Sequence, residues 1–400
     1  MSENVQQRHR RILYMKCAIV LGGVGSKGAY QIGAWKALRE LGIEYDIVTG
    51  TSIGACNGAL MVQGDYDRAF ELWQSIDIDK VVLNGLNLRT DLNYYMEHSD
   101  KLLGFLKTYT SNKGMDTTPL LNLLGHFINA DRFFASSVDY GLVSVRFPSM
   151  QPVQKQKDSI PKTQLQDWIM ASCSCFPAFP IYEIDGEGYI DGGYYDNLPI
   201  SLAFRLGAQE VIAIALNPKP HAYTNHPFVR CIQPKERLGG MLDFDATTIR
   251  EQFELGYVDT LKSFGRLMGR DFNFFLDDMT TYTQGFAFAL AEILRYDLST
   301  HTPQMLDRLV TQTPLYHQVI DLLTIDEDIP AILSLIESQM HLHAYKSTKI
   351  YHLTEIMPEL VKKTQAYLLT RGLGGMTHMY DIEHLDDEAL LAAIFLRVAS

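Results

Sequence analysis

Val211–Leu216 reads VIAIAL, six apolar residues in a row with nothing to turn toward water. A strand of that texture has to be covered on both faces, the environment of a parallel sheet packed between helices. A second apolar run, Cys17–Leu21, stops in a glycine-rich loop, and Tyr45–Val48, Tyr140–Val145, Tyr189–Ile190 and Arg230–Gln233 read as further strands. Apolar spacing predicts helices over Ala29–Leu41, Ile53–Val62, Asp65–Ile76, Pro119–Ile128, Gln164–Cys173 and Leu198–Leu206. Asp65 and Asn197 are the expected N-caps, and Pro199 sits where a first helical turn tolerates proline. Strands alternating with helices up to about residue 235 predict a layered α/β fold. Beyond that the texture turns helical, over 245–268, 284–296, 328–346, 352–370 and 386–399, with Ile329, Ile332, Leu333, Ile336 and Met340 forming one apolar stripe. The expected organisation is an α/β domain over 14–235 and a helical region over 236–400. No linker rich in Pro, Gly or Ser separates them, so the helical region reads as an addition packed on the α/β unit.

Composition narrows the function. With 46% hydrophobic and 20% charged residues the chain has the material for a large core, which excludes a disordered protein. A net charge of -12 argues against a nucleic-acid binder held by phosphate contacts. It leaves peripheral contact with a membrane surface open, because a local patch overrides a total. Five widely spaced cysteines form no disulfide framework and suit a reducing compartment. No segment approaches the roughly 18 apolar residues of a membrane span. The apolar run after Arg8–Arg11 is too short for a signal peptide. The expected location is cytoplasmic.

Three motifs carry chemistry. Gly50-Thr51-Ser52-Ile53-Gly54 fits G-x-S-x-G and lies between a predicted strand and a predicted helix. The pattern alone occurs by chance in about one chain in seven of this length, so its position is what counts. A tight strand-to-helix turn exposes the serine oxygen at the positive end of the following helix. Gly22-Gly23-Val24-Gly25-Ser26-Lys27-Gly28 presents backbone N–H groups to an anion. It matches the dinucleotide fingerprint literally, but the second strand runs into the serine turn instead of ending at an acidic residue. A phosphate-binding loop needs Gly-Lys-Ser/Thr at its end, and the order here is Ser26-Lys27-Gly28. An oxyanion hole serving Ser52 is the remaining reading. Asp191-Gly192-Gly193, at a strand end, places a carboxylate on a loop at the sheet's edge.

GGVGSKG, GTSIG and DGG, in this order, resemble the patatin-like phospholipase family, as does Ala171-Ser172-Cys173-Ser174-Cys175-Phe176-Pro177-Ala178-Phe179-Pro180 before the Asp. The resemblance covers residues 16 to about 220 and extends loosely to about 260. It implies a three-layer α/β/α domain with a mostly parallel sheet, to which the C-terminal helices are an addition. It also implies a Ser52–Asp191 dyad and an oxyanion hole in the loop that holds Gly23, Val24, Gly25 and Gly28. Lys27, Gly50, Gly54, Gly192 and Gly193 support the motifs. Val24 interrupts the family's glycine run, and Lys27 stands where relatives usually have arginine.

The implied chemistry is hydrolysis of a lipid acyl ester. Ser52 attacks the carbonyl, Asp191 takes the proton with no imidazole between, and no metal or other cofactor is required. Such a carboxylate has to be desolvated to act as a base near neutral pH. The 12 histidines include no H-E-x-x-H pattern and no zinc spacing with cysteine. Tyr94, Tyr95, Leu102, Leu103, Phe105 and Leu106 are candidates for a lid or acyl groove. Two alternatives remain: an α/β-hydrolase with a Ser-Asp-His triad drawing on His378 or His384, and a non-enzymatic module that binds phosphate or membrane through the glycine loop. The lipid, the acyl position and the oligomeric state are not written in these motifs.

Overall fold

Cys17–Leu21 forms strand β1, fully buried from Ala18 onward. It pairs in parallel on both edges, with β2 (Ile47–Thr51) and β7 (Glu210–Ile214). Strand β8 (Val229–Ile232) continues beyond β7, and β3 (Asp139–Phe147) beyond β2, both parallel. Three antiparallel strands complete an eight-stranded sheet: β4 (Gln151–Gln156), β5 (Tyr182–Ile184) and β6 (Glu187–Asp191). This is the mostly parallel sheet expected from VIAIAL. The computed structural model describes residues 15–83, 111, 114–223, 225–275, 290–292, 299–323, 331–373 and 385–399.

Both faces of the sheet are covered. Helix α2 (Ile53–Val62) is buried at every residue from Gly54 on, and Gly58 lies against Val48, Tyr140 and Leu21. On the other face Ala18, Val20, Val211 and Ala213 share a core with Leu198, Ile200 and Ala203 around helix α7 (Ile200–Arg205). Among the described residues this part also holds α1 (Gly28–Glu40), α3 (Tyr66–Ser75), α4 (Thr118–Phe127), α5 (Ala130–Ala135), α6 (Leu165–Cys173) and α8 (Ala246–Ser263).

The pairing around β3 decides where the site lies. Strand β2 runs beside Asp139–Val143 and β6 beside Ser144–Phe147. Strand β4 runs beside Gly141–Arg146 and so overlaps both. One edge accepts one partner at a time, so β2 and β6 must share the opposite edge of β3 and meet end to end. Thr51 pairs with Val143 and Asp191 with Ser144, at adjacent positions.

The chain divides into two units, Met1–Ser263 and Phe264–Ser400. The division falls after α8, not at the 235/236 boundary expected from texture. The reason is packing: a Cβ on Gly33 of α1 would lie 1.9 Å from the Phe253 carbonyl oxygen, and one on Gly256 of α8 1.9 Å from that of Tyr30. The two helices touch backbone to backbone, and the Tyr30 hydroxyl donates to Asp259 at 2.8 Å.

Two capping expectations also change. Asp65 precedes α3 but makes no side-chain cap; its carboxylate pairs with Arg132 at 2.5 Å. Asn197 does not cap α7, which starts at Ile200; its amide turns to the glycine loop.

The second unit contains helices α9 (Pro303–Val310), α10 (Pro314–Leu323), α11 (Ala331–Leu342), α12 (Leu353–Thr370) and α13 (Asp387–Ala399). It also holds a small sheet of β9 (Leu267–Met268), β10 (Asn273–Phe275) and β11 (Ile350–Tyr351), absent from the sequence reading. Its own core includes Phe272, Phe274, Leu333, Ile336, Leu353 and Phe395. Ile332, Leu333, Ile336 and Met340 of the expected stripe are buried. Ile329, most of 284–296, the lid candidates Tyr94, Tyr95, Leu102, Leu103, Phe105 and Leu106, and His378 and His384 lie outside the described residues. Among the described residues no helix is long and apolar enough to cross a membrane.

Candidate active site

Ser52 follows β2 immediately and precedes α2, with φ 56° and ψ -128°. That backbone geometry is rare for an L residue and costs on the order of 1–3 kcal/mol, so its surroundings must impose it. They do so by close approach: a Cβ on Gly50 would lie 2.2 Å from the Gly54 carbonyl oxygen, and one on Gly54 2.3 Å from that of Leu21. Only glycine at both positions lets the chain fold back so tightly. The Ser52 N–H donates to the Ser172 hydroxyl at 2.9 Å. Its carbonyl accepts from Ala55 at 2.8 Å and starts the helix.

Asp191 ends β6 and is only 7% exposed. Burial pushes its pKa up to about 6; the nearby Ser52 side chain and the Gly193 N–H, 2.7 Å from Oδ1, pull it part of the way back. Gly192 lies against the Val143 carbonyl, where a Cβ would be 2.1 Å away. Burial pushes the thiol of the nearby Cys173 well above its ordinary range. Burial thus favours the neutral thiol at Cys173.

The glycine loop follows β1, and most of its amides are engaged. Gly22 donates to Ile214, Gly23 to Asn197, Ser26 to Met241, Lys27 to Val24 and Gly28 to Gly25. Gly23 and Gly28, counted among the oxyanion residues, thus have their N–H groups committed elsewhere. Among the described residues the Val24 and Gly25 N–H groups carry no hydrogen bond. Val24 has φ 158° and ψ 77°, a positive φ that is rare for a β-branched residue. Gly25 has φ +43°, and a Cβ there would lie 2.1 Å from the Met241 carbonyl oxygen. Lys27 is buried, and its ammonium is held below its usual range by burial first and Arg237 second.

A buried polar chain ties this loop to α2. The Trp73 indole donates to Asn57 at 2.9 Å, Asn57 to Gln31 at 2.8 Å and to the Gly28 carbonyl at 3.1 Å, and Gln31 to the Gly22 carbonyl at 2.7 Å. Asn197 clamps Gly23 from the other side, through its carbonyl at 3.0 Å and its amide at 3.1 Å. The loop cannot shift without breaking bonds in the interior. No group of three or more His, Cys, Asp or Glu among the described residues is placed to hold a metal ion. The open cleft of about 650 Å³ lined by Tyr45, Gln63, Arg132 and Ser136 lies at the amino ends of β2 and β3. Ser52 and Asp191 stand at strand carboxyl ends, where open α/β sheets bind ligands.

Residues 19–204 match the family model for patatin-like phospholipase. Over these residues the chain is similar to patatin-like phospholipases. The region is 28% identical over 201 residues to lysophospholipase NTE1 of Meyerozyma guilliermondii, covering 49% of this chain and 12% of that one. It is 28% identical over 202 residues to patatin-like phospholipase domain-containing protein 7 of Rattus norvegicus, covering 49% and 13%. The matched region therefore spans about an eighth of the length of these curated relatives. Among solved structures, VipD from Legionella pneumophila aligns over 96% of this chain and 90% of that one, at 13% identity and a TM-score of 0.42.

The patatin-like region depends on residues that the sequence reading passed over or placed differently. Ser26, Gln31, Asn57, Asn197 and Met241 all hold the glycine loop or the serine turn. Gln31 and Asn57 could have been found as polar side chains on otherwise apolar helix faces. Nothing local marks Met241, whose role comes only from contact in three dimensions.

Proposed function

We propose that this chain is a serine esterase of the phospholipase or lysophospholipase type, with Ser52 as nucleophile and Asp191 as base. The end-to-end meeting of β2 and β6 on one edge of β3 carries this reading, because it brings the serine turn and a desolvated carboxylate together. In the first half-reaction the Ser52 oxygen bonds to the acyl carbon while Asp191 takes its proton. The carbonyl oxygen becomes an oxyanion facing the Val24 and Gly25 N–H groups. Collapse breaks the ester bond, and the leaving alcohol recovers the proton from Asp191. Water then attacks the acyl-enzyme while Asp191 takes one of its protons; collapse breaks the bond to the Ser52 oxygen, which recovers that proton from Asp191, and the carboxylic acid leaves. The relatives' printed name, lysophospholipase, supports a lysophospholipid as the substrate. Unpaired cysteines support a reducing compartment, and a lipid substrate fits peripheral contact with a membrane. A fluorophosphonate probe tests the assignment: mass spectrometry is expected to find the adduct on Ser52, and an adduct confined to another residue would contradict it.

Two further results are expected. Asp191 must be ionised to accept a proton, so kcat/KM rises with pH through an acid limb near pH 6 and flattens above it. A limb near pH 4, the range of a solvated carboxylate, would exclude this residue in this setting. Gly25→Ala forces a Cβ onto the Met241 carbonyl and displaces one of the two free donors. A single oxyanion donor is worth on the order of a hundredfold in kcat, so kcat is expected to fall by about that factor with KM little changed. Wild-type kcat in Gly25→Ala would remove this loop from the mechanism.

A further inference from the structure

We propose that Ser172 and Ser174 are positioning residues that hold the nucleophile and the base in register through one shared helix end. The proposal rests on the Ser52–Asp191 reading and assigns a task to the Ala-Ser-Cys-Ser-Cys stretch, which the chemistry itself leaves idle. Helix α6 ends at Cys173, and its last turn touches both partners. On the nucleophile side, β2 has stopped pairing at Thr51, so the Ser52 N–H has no partner in the sheet. It donates to the Ser172 oxygen at 2.9 Å, and the same hydroxyl donates to the Val143 carbonyl at 2.6 Å. One hydroxyl thus links the strained turn to β3 at the position where β2 ends. A hydroxyl suits this place because it accepts and donates at once.

On the base side, the Asp191 N–H donates to the Ser174 carbonyl at 2.8 Å. The Ser174 hydroxyl donates back to the Met170 carbonyl at 2.9 Å, fixing how the chain leaves the helix and where that carbonyl points. A third serine closes the frame. Ser144, paired with Asp191 in the sheet, donates to the carbonyls of Ala171 at 3.3 Å and Ile190 at 2.9 Å. Ser144 and Ser172 are fully buried and Ser174 is 1% exposed, so all three spend their hydroxyls on backbone. The two reacting residues arrive on different strands, 139 positions apart, but both are referenced to residues 172–174. Small displacements of reacting groups cost rate steeply, and this frame suppresses relative displacement.

The test uses Ser172→Ala and Ser174→Ala in the full chain, read by p-nitrophenyl ester kinetics, fluorophosphonate labelling rate and near-ultraviolet circular dichroism. Ser172→Ala is expected to lower kcat and the labelling rate together by about 10- to 100-fold, with KM within about twofold and the acid limb in place. Ser174→Ala is expected to move the acid limb, with a smaller loss of kcat. Folded variants with wild-type kcat and an unmoved limb would overturn the proposal. Loss of fold in both would also overturn it, making the stretch a core element with no separate positioning role. If only Ser172→Ala fails to fold, the limb of Ser174→Ala decides. Ser52→Ala and Asp191→Asn run beside them separate the two readings: if those are inactive while both serine variants behave as wild type, the dyad stands and the frame falls.

Discussion

Ser52→Ala is expected to reduce ester hydrolysis by about a thousandfold or more while leaving the melting temperature within a few degrees of wild type. The reaction loses its nucleophile, and the oxyanion donors alone give little turnover. The fold loses little, because alanine at φ 56° carries the same backbone strain as serine and the Ser52 N–H still reaches Ser172. Steady-state kinetics with a p-nitrophenyl ester, together with a thermal melt, check both halves. Near-normal turnover in a folded Ser52→Ala protein would remove the assignment.

Asp191→Asn should abolish turnover about as completely and, unlike Ser52→Ala, stabilise the protein. The sign follows from the direction of the shift. Burial raises the folded-state pKa from 3.8 to about 6. Below pH 3.8 the carboxyl is neutral in both folded and unfolded chains, and the group costs nothing. As pH rises through 6, the folded state has to ionise a buried carboxylate that the unfolded chain ionises freely. The native protein therefore loses stability across that window, by about 3 kcal/mol for a shift of this size. Asparagine keeps the acceptor for the Gly193 N–H and removes the charge. Denaturant unfolding at pH 7.5 should show Asp191→Asn more stable than wild type, and the gain should vanish near pH 3.5. An equal gain at both pH values would mean that charge is not its cause. A site that gives up stability in this way is the pattern of a group retained for chemistry.

Much of this was legible in the sequence where local composition matched the final environment. Cys17–Leu21 and Ile53–Val62 occur with the expected bounds because their burial is continuous. Strand β2 was placed early, at Tyr45–Val48, because Thr49 and Thr51 look polar. In the structure their hydroxyls donate to the Pro199 and Asp196 carbonyls, which lets them sit inside. Strand β4, QPVQKQ, was missed because a half-exposed edge strand has no apolar alternation. The serine turn and the Asp191 loop could be read, since glycine is forced by close approach at Gly50 and Gly54. The free donors could not: which amides remain available is decided by Asn197 and Met241, far from the loop in sequence.

The contact between α1 and α8 sets a limit on transplanting this chemistry. The region matched to the family model stops at residue 204, yet the loop carrying Val24 and Gly25 is pinned by Gly240 and Met241 through Ser26. Two residues before Gly240, the Leu238 carbonyl accepts from Gln252 of α8 at 2.8 Å. A chimera with its crossover between residues 204 and 246 would carry over the serine and the aspartate and leave the anchor of the glycine loop behind. If Ser52 and Asp191 act as proposed, the smallest transferable unit of this chain therefore runs through Ser263.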